Sequence, residues 1–344
     1  MRSLPGALAL VVTCALGFAL VGCSARSAGP AAAPPPAYPP GSWGTPPPPP
    51  GGATATPGGA AAPPAPGTVG PGGVSPAGMA DPINRVELGY LRSRAQSVYV
   101  ELMNALAPGP RSRVTGIPLI VDDEPGEVNA FAACTSSGKA IMAISDGLLE
   151  ISAYLARCAA TDEVFRTRKT DEYIRFIAQN QRPGQPIVRP APTFFDPTQD
   201  NDATKLTRQH QLFDEEVAFV LGHEMGHHYL GHLPCTAGNV EASEVGAVLT
   251  SVVPAFNQVN EAAADNAGTY NVLDAGKARA DYHYTERGAL LTMQFFAGID
   301  QFSPVDLIFG FDRTHPPPQL RSPLIMQAAA TWRATGGARM PWLL

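Results

Sequence analysis

No aspartate, glutamate, lysine or arginine occurs between Ser27 and Ala80, a stretch made mostly of Pro, Gly and Ala. Burying Ala and Pro does not offset the roughly 1–2 kcal/mol per residue that ordering a backbone costs. Any packed core must therefore come from the rest of the chain. That remainder, about Asp81 to Leu344, has ordinary globular composition and is long enough for one well-buried domain. A length of 344 residues would by itself suggest two domains; the division predicts one domain, 81–344, behind a disordered linker, 23–80. Polyproline runs such as Pro46 to Pro50 extend by about 3.1 Å per residue while Gly-rich stretches coil, so the linker reads as a tether with a reach on the order of 100 Å or less. The formal charge is -6, with no Lys/Arg-rich stripe to neutralise phosphates, which excludes a nucleic-acid binder.

Arg2 supplies a positive start, and Leu4 to Val21 is apolar and followed by small residues rather than a cluster of charges. Residues 1–22 therefore read as a secretory signal peptide. Leu20-Val21-Gly22-Cys23 resembles the lipobox of bacterial lipoproteins, which implies cleavage before Cys23 and its acylation. Acyl chains gain about 0.8 kcal/mol per buried CH₂, so a multiply acylated Cys23 would anchor the chain stably to a lipid membrane. Ser24 stands where a retention-type Asp often sits, and by the same resemblance the expected location is the cell envelope, on the periplasmic side of the outer membrane. With Cys14 removed and Cys23 acylated, Cys134, Cys158 and Cys235 remain. Three thiols in an oxidising compartment allow at most one intramolecular disulfide, and the sequence does not choose the pair. The expectation for each is a buried, unreactive thiol without a structural disulfide.

Apolar spacing predicts a helix over Arg85 to Leu106, stopped by Pro108. The period then shortens: Ile117 to Val121, Val128 to Ala133 and Ala140 to Ile144 predict a small sheet with tight turns. Asp146 is the expected cap of a helix starting at Gly147. Residues from about Thr161 to Gln211 are polar and partly Pro-rich, and read as an insertion of helix plus loop. Asp214 is the expected cap of the next helix, which runs to about Leu230 with Gly231 as its stop. An apolar stretch from Glu241 to Phe256 is too short to span a bilayer. Helices are expected around Glu261 to Ala275, Tyr282 to Phe296 and Leu324 to Ala334, with a loop from Ser303 to Pro318. The fold class is thus α+β, mainly helical with a small β-sheet.

His223-Glu224-Met225-Gly226-His227 lies in the middle of one of these helices. Histidines at i and i+4 share a face, so two neutral imidazoles can take two corners of a tetrahedral zinc site. Glu224 follows the first of them and is placed to deprotonate a zinc-bound water. With only 7 His in the chain, chance rarely produces this pattern. A catalytic zinc needs a third protein ligand and an open position. Glu261 and Asp265 share a face of the next helix among apolar neighbours, where a pair of carboxylates needs a partner such as a metal. Glu261 can complete the His223/His227/Glu261 ligand set, and Asp265 can accept the free N–H of a ligand imidazole. One Zn²⁺ per chain is expected. His228 and His232 are expected to pack or cap, and His210 and His283 have no metal-type spacing.

The His-Glu-x-x-His, followed by Asn-Glu-x-x-x-Asp-Asn-x-Gly from Asn260, resembles metallopeptidase family 48. Val128-Asn129-Ala130-Phe131, Asp146-Gly147-Leu148-Leu149 and Thr314-His315-Pro316 with Arg321 match further family elements in the same order. The resemblance spans about Arg85 to Arg321. It departs at the long 161–211 insertion and at Ala132-Ala133-Cys134, where a Pro-Gly-Gly turn is frequent. It implies a gluzincin-like domain in which the strand at Asn129, Ala130 and Phe131 binds an extended substrate through main-chain hydrogen bonds. It also implies a catalytic role for His315, at the oxyanion or over the open zinc position, with Arg321 behind the ligands. The expected function is a zinc endopeptidase acting on misfolded or stalled envelope proteins. The alternatives are a chaperone or assembly factor with a latent zinc site, and a hydrolase of cell-wall peptide.

Overall fold

The computed structural model describes residues 81–250, 257–302 and 315–338. The expected signal peptide, the expected linker with Cys23, and most of the loop expected between Ser303 and Pro318 lie outside the described residues. Two helices come first, α1 (Leu88–Ala105) and α2 (Pro108–Val114), then strands β1 (Leu119–Asp122), β2 (Ala130–Cys134) and β3 (Ala140–Ser145). Helices α3 (Asp146–Phe165), α4 (Lys169–Asn180), α5 (Pro197–Asp200) and α6 (Ala203–Tyr229) follow. The remainder comprises α7 (Ala242–Leu249), α8 (Gln258–Ala278), α9 (Arg287–Phe302) and α10 (Pro318–Thr335).

The sheet has the order β1-β3-β2, with β1 parallel and β2 antiparallel to β3. Side chains alternate between its faces. Ala130, Met142 and Ile144 join the main core, whereas Phe131, Ala133, Ile141 and Ala143 meet Val248 of α7 in a second cluster. Covered on both sides, β3 shows no polar alternation and is buried throughout. Helix α6 packs against α1, α3, α8 and α9, and every residue from Leu212 to Tyr229 is buried. The metal-type motif therefore sits at the centre of the domain.

The three expected strands form close to their predicted places, but several boundaries move. Helix α1 begins at Leu88 because Val86 takes φ 51, a turn before the helix. Pro108 does not follow the stop of α1 so much as open α2, where its missing N–H costs nothing. Ser145, not Asp146, caps α3: its hydroxyl accepts from the Leu148 N–H at 3.2 Å and from the Asn129 N–H at 2.9 Å. Asp146 instead pairs with Arg92. The largest shift is at α6, which starts at Ala203 rather than at Asp214. Asp202 caps it, accepting from Thr204 and Lys205. Asp214 is interior to the helix and pairs with Arg94. The early turns bury polar residues: Lys205 reaches Asp200 at 2.6 Å, and Gln209 reaches Asp81 at 2.6 Å. The 161–211 segment accordingly resolves into the end of α3, α4, α5 and the start of α6, with irregular chain between.

The expectation of three free thiols is overturned for two of them. Cys134 and Cys235 form a disulfide with a Cα–Cα separation of 5.5 Å, leaving Cys158 as a buried free thiol. The bond is favoured because the chain leaving α6 runs beside the β2–β3 hairpin. Ala140 donates to the Thr236 carbonyl at 2.8 Å, and Thr236 donates to Gly138 at 3.1 Å.

Glu216 on α6 has no solvent exposure, and among the described residues neither carboxyl oxygen has a hydrogen-bond partner. Burial pushes this carboxyl well above its ordinary 4.5, against the pull of Arg287. The folded chain then keeps a proton that the unfolded chain releases, so this group's contribution falls as pH rises above about 4.5. Glu216→Gln is expected to raise stability at neutral pH and flatten that decline, as read from urea midpoints between pH 5 and 8. An unchanged pH profile would contradict a neutral buried acid.

Candidate metal centre

Three elements converge on one buried point. Helix α6 brings His223, Glu224 and His227, α8 brings Glu261 and Asp265, and His315 with Arg321 comes from the start of α10 and the residues just before it. The two Nε2 atoms of His223 and His227 lie 3.1 Å apart. Each is 3.4 Å from a different oxygen of Glu261. His315 Nε2 stands 3.4 Å from Glu224 and 3.8 Å from Glu261. One donor atom from each of His223, His227, Glu261 and His315 falls within 4.8 Å of the others.

The helices approach this closely because they cross on glycine. A Cβ on Gly268 would come 2.8 Å from the His223 backbone nitrogen, and one on Gly222 would come 3.3 Å from the Gly268 carbonyl. Gly268→Ala is expected to force α8 from α6, at about 1–3 kcal/mol, and to weaken metal binding. Urea unfolding and metal competition measure both; wild-type values would contradict the crossing.

The electrostatics suit a cation. Burial would raise the Glu261 carboxyl, but His223 and His227 hold it far below the usual carboxylate range. Among the described residues, its two oxygens receive no well-aligned hydrogen bond although the side chain is 1 % exposed. A buried carboxylate of this kind is costly unless a cation or donor meets it. Burial opposes charge on His223, yet Asp265 and Glu261 push it up to about 9. Burial takes His227 down to about 4. Glu224 is held low, its burial outweighed by His315 and His223, and stays a carboxylate. Two imidazoles and a carboxylate at this spacing fit zinc.

Behind the cluster, His223 Nδ1 meets Asp265 at 3.0 Å, which fixes the ring so that Nε2 faces inward. Arg321 grips the same carboxylate with two hydrogen bonds, 2.9 and 2.7 Å. The structure thus brings together His223, Glu224, His227, Glu261, Asp265, His315 and Arg321. Asn129, Ala130 and Phe131 are buried as whole residues, main chain included. Asn129 accepts from the Ser145 N–H at 2.8 Å, so the antiparallel alternation turns the main-chain groups of Ala130 and Ala132, which are buried, away from β3.

His228 packs as expected, its Nε2 at 3.0 Å from the Ile141 carbonyl. His210 meets Asp81 at 2.6 Å, and His283 meets the Gly276 carbonyl at 2.7 Å. His232 caps the end of α6 as expected, its N–H donating to the His227 carbonyl at 3.0 Å, and its ring makes a further contact. Its Nδ1 lies 2.9 Å from Nδ1 of His227. The signal for it was Gly231, the residue that turns the chain back over the last helical turn.

A model of peptidase family M48 matches residues 95–325, a span that contains the whole cluster. No curated protein and no solved structure matches the chain significantly.

Proposed function

The chain belongs to peptidase family M48, and from that premise we propose that it is a zinc-dependent endopeptidase of the bacterial cell envelope, cutting unfolded segments of misfolded or stalled envelope proteins. The observation that carries the reading is Glu261, a buried carboxylate set between the two imidazoles at 3.4 Å from each and near a second carboxylate, Glu224. His223, His227 and Glu261 would hold the zinc. A zinc held there would supply Lewis acidity, polarising a carbonyl oxygen and lowering the pKa of a bound water. Glu224, held as a carboxylate by His315 and His223, would take the proton of the attacking water and pass it to the leaving amine. His315 faces Glu224 and can donate to the oxygen on which charge develops. Asp265 and Arg321 keep His223 oriented.

The main-chain groups that β2 turns away from β3 at Ala130 and Ala132 are of the kind that pairs with an extended backbone, the form an unfolded segment presents. Acylated Cys23 and the linker place the domain near a membrane surface. The position of His315, within the ligand cluster itself, favours a second reading: a site kept latent by this side chain in a chaperone or assembly factor.

The test is digestion of a reduced, alkylated protein and of its folded form by the full chain, together with cell fractionation of wild type and Cys23→Ser. Internal cuts in the unfolded form alone, and release of Cys23→Ser from membranes, are expected. Equal cutting of both forms, or membrane retention without Cys23, would count against these assignments. Binding of the unfolded protein without cutting, by wild type and Glu224→Gln alike, would favour the latent site.

A further inference from the structure

His223 and His227 are backed by different chemistry. Behind His223 stands a carboxylate, Asp265, itself held by Arg321. Behind His227 stands another imidazole. The Nε2 of His227 points toward Glu261 and the Nε2 of His223, so its Nδ1 must carry the ring proton when Nε2 is a ligand. That N–H needs an acceptor in line with it, and His232 Nδ1 lies 2.9 Å away.

We propose that His232 is a positioning residue, its Nδ1 lone pair accepting the Nδ1–H of His227 and so fixing the tautomer and ring angle with which His227 holds the metal. The inference rests on the zinc reading of the cluster. It does not rest on the chain being an active peptidase.

The fold delivers His232 to that place by three independent devices. Helix α6 ends with Gly231 at φ 78, so Gly231 donates to His228 at 3.1 Å and His232 donates to the His227 carbonyl at 3.0 Å. This pair of bonds folds His232 back over the turn that carries His227. Arg113 of α2 donates to the Tyr229 carbonyl at 2.7 Å and ties down the same helix end. Three residues on, Cys235 is joined to Cys134, and Thr236 is bonded along the hairpin end, so the exit chain is held from the other side. The two rings then meet edge to face, 5.0 Å apart with an interplanar angle of 67°.

Side-chain geometry makes the claim sharp. In Asn the carbonyl oxygen hangs on Cγ, as Nδ1 does in His; in Gln it is one bond further out, nearer to where Nε2 sits. His232→Asn therefore keeps an acceptor where the proposal needs it, while His232→Gln and His232→Ala do not. Zinc dissociation constants of the full chain, from competition with a fluorescent chelator, are expected to rise about 10–100-fold for Ala and Gln and to stay close to wild type for Asn. Urea midpoints of the metal-free proteins should be alike. Wild-type affinity in His232→Ala, or an Asn variant no better than Ala, would overturn the proposal. A wild-type chain that binds no zinc would overturn both this and the proposed function. Zinc binding that depends on His232 in a chain that cuts nothing would overturn only the peptidase reading.

Discussion

Glu224→Gln should lower kcat/KM on an unfolded protein by about 10²–10⁴-fold while leaving one zinc per chain. Glu224 is 1 % exposed and sits beside His223, with Oε1 3.4 Å from His315. Gln keeps the volume and can still accept a hydrogen bond, but it cannot take a proton from water. The loss should therefore fall on turnover rather than on metal content or folding. Zinc analysis and thermal melting of the same sample separate these. Wild-type turnover in the variant would remove Glu224 from the chemistry, and loss of the metal would make it a ligand instead.

Arg321→Met carries the largest expected cost in stability. Arg321 and Asp265 are both buried, and two hydrogen bonds join them. Burial pushes the Asp265 carboxyl up, but the Arg321 charge and the His223 hydrogen bond outweigh it and hold it at about 2. Removing Arg321 leaves a buried carboxylate whose remaining partner is the ligand imidazole. Breaking one side of such a pair costs about 3–5 kcal/mol, whereas removing both charges can be close to neutral. The double variant Asp265→Asn/Arg321→Met is accordingly expected to recover much of the stability lost in Arg321→Met. Its zinc affinity should remain depressed, because His223 no longer has a carboxylate behind it. Urea unfolding of the metal-free forms and chelator competition report the two quantities separately. A single variant within about 1 kcal/mol of wild type would show that Asp265 does not depend on Arg321.

The sequence made the centre of the site legible because its chemistry is local. His223 and His227 are one helical turn apart, as are Glu261 and Asp265, and each pair shares a face wherever the helix lies. That the two faces meet depends on Gly222 and Gly268, whose role is a close approach between helices and leaves no pattern within either. His315 and Arg321 were found through a likeness to known motifs, not through spacing. The contact between the His232 and His227 rings was not legible because Gly231 turns the chain back over the end of α6, and no helical spacing describes that turn. The disulfide was missed for a related reason: Cys134 and Cys235 are 101 residues apart, and only the β2–β3 hairpin and the chain after α6 bring them together. The start of α6 was misplaced because Lys205 and Gln209 bury polar groups against Asp200 and Asp81. Buried polar side chains on a helix look, in sequence, like a solvated loop.

Titration of the metal-free full chain with zinc, followed by cleavage of an unfolded protein, tests the central claim most directly. Activity is expected to rise with added zinc and to reach its plateau at one equivalent per chain. Cleavage that is already complete without metal, or none when one equivalent is bound, would contradict it.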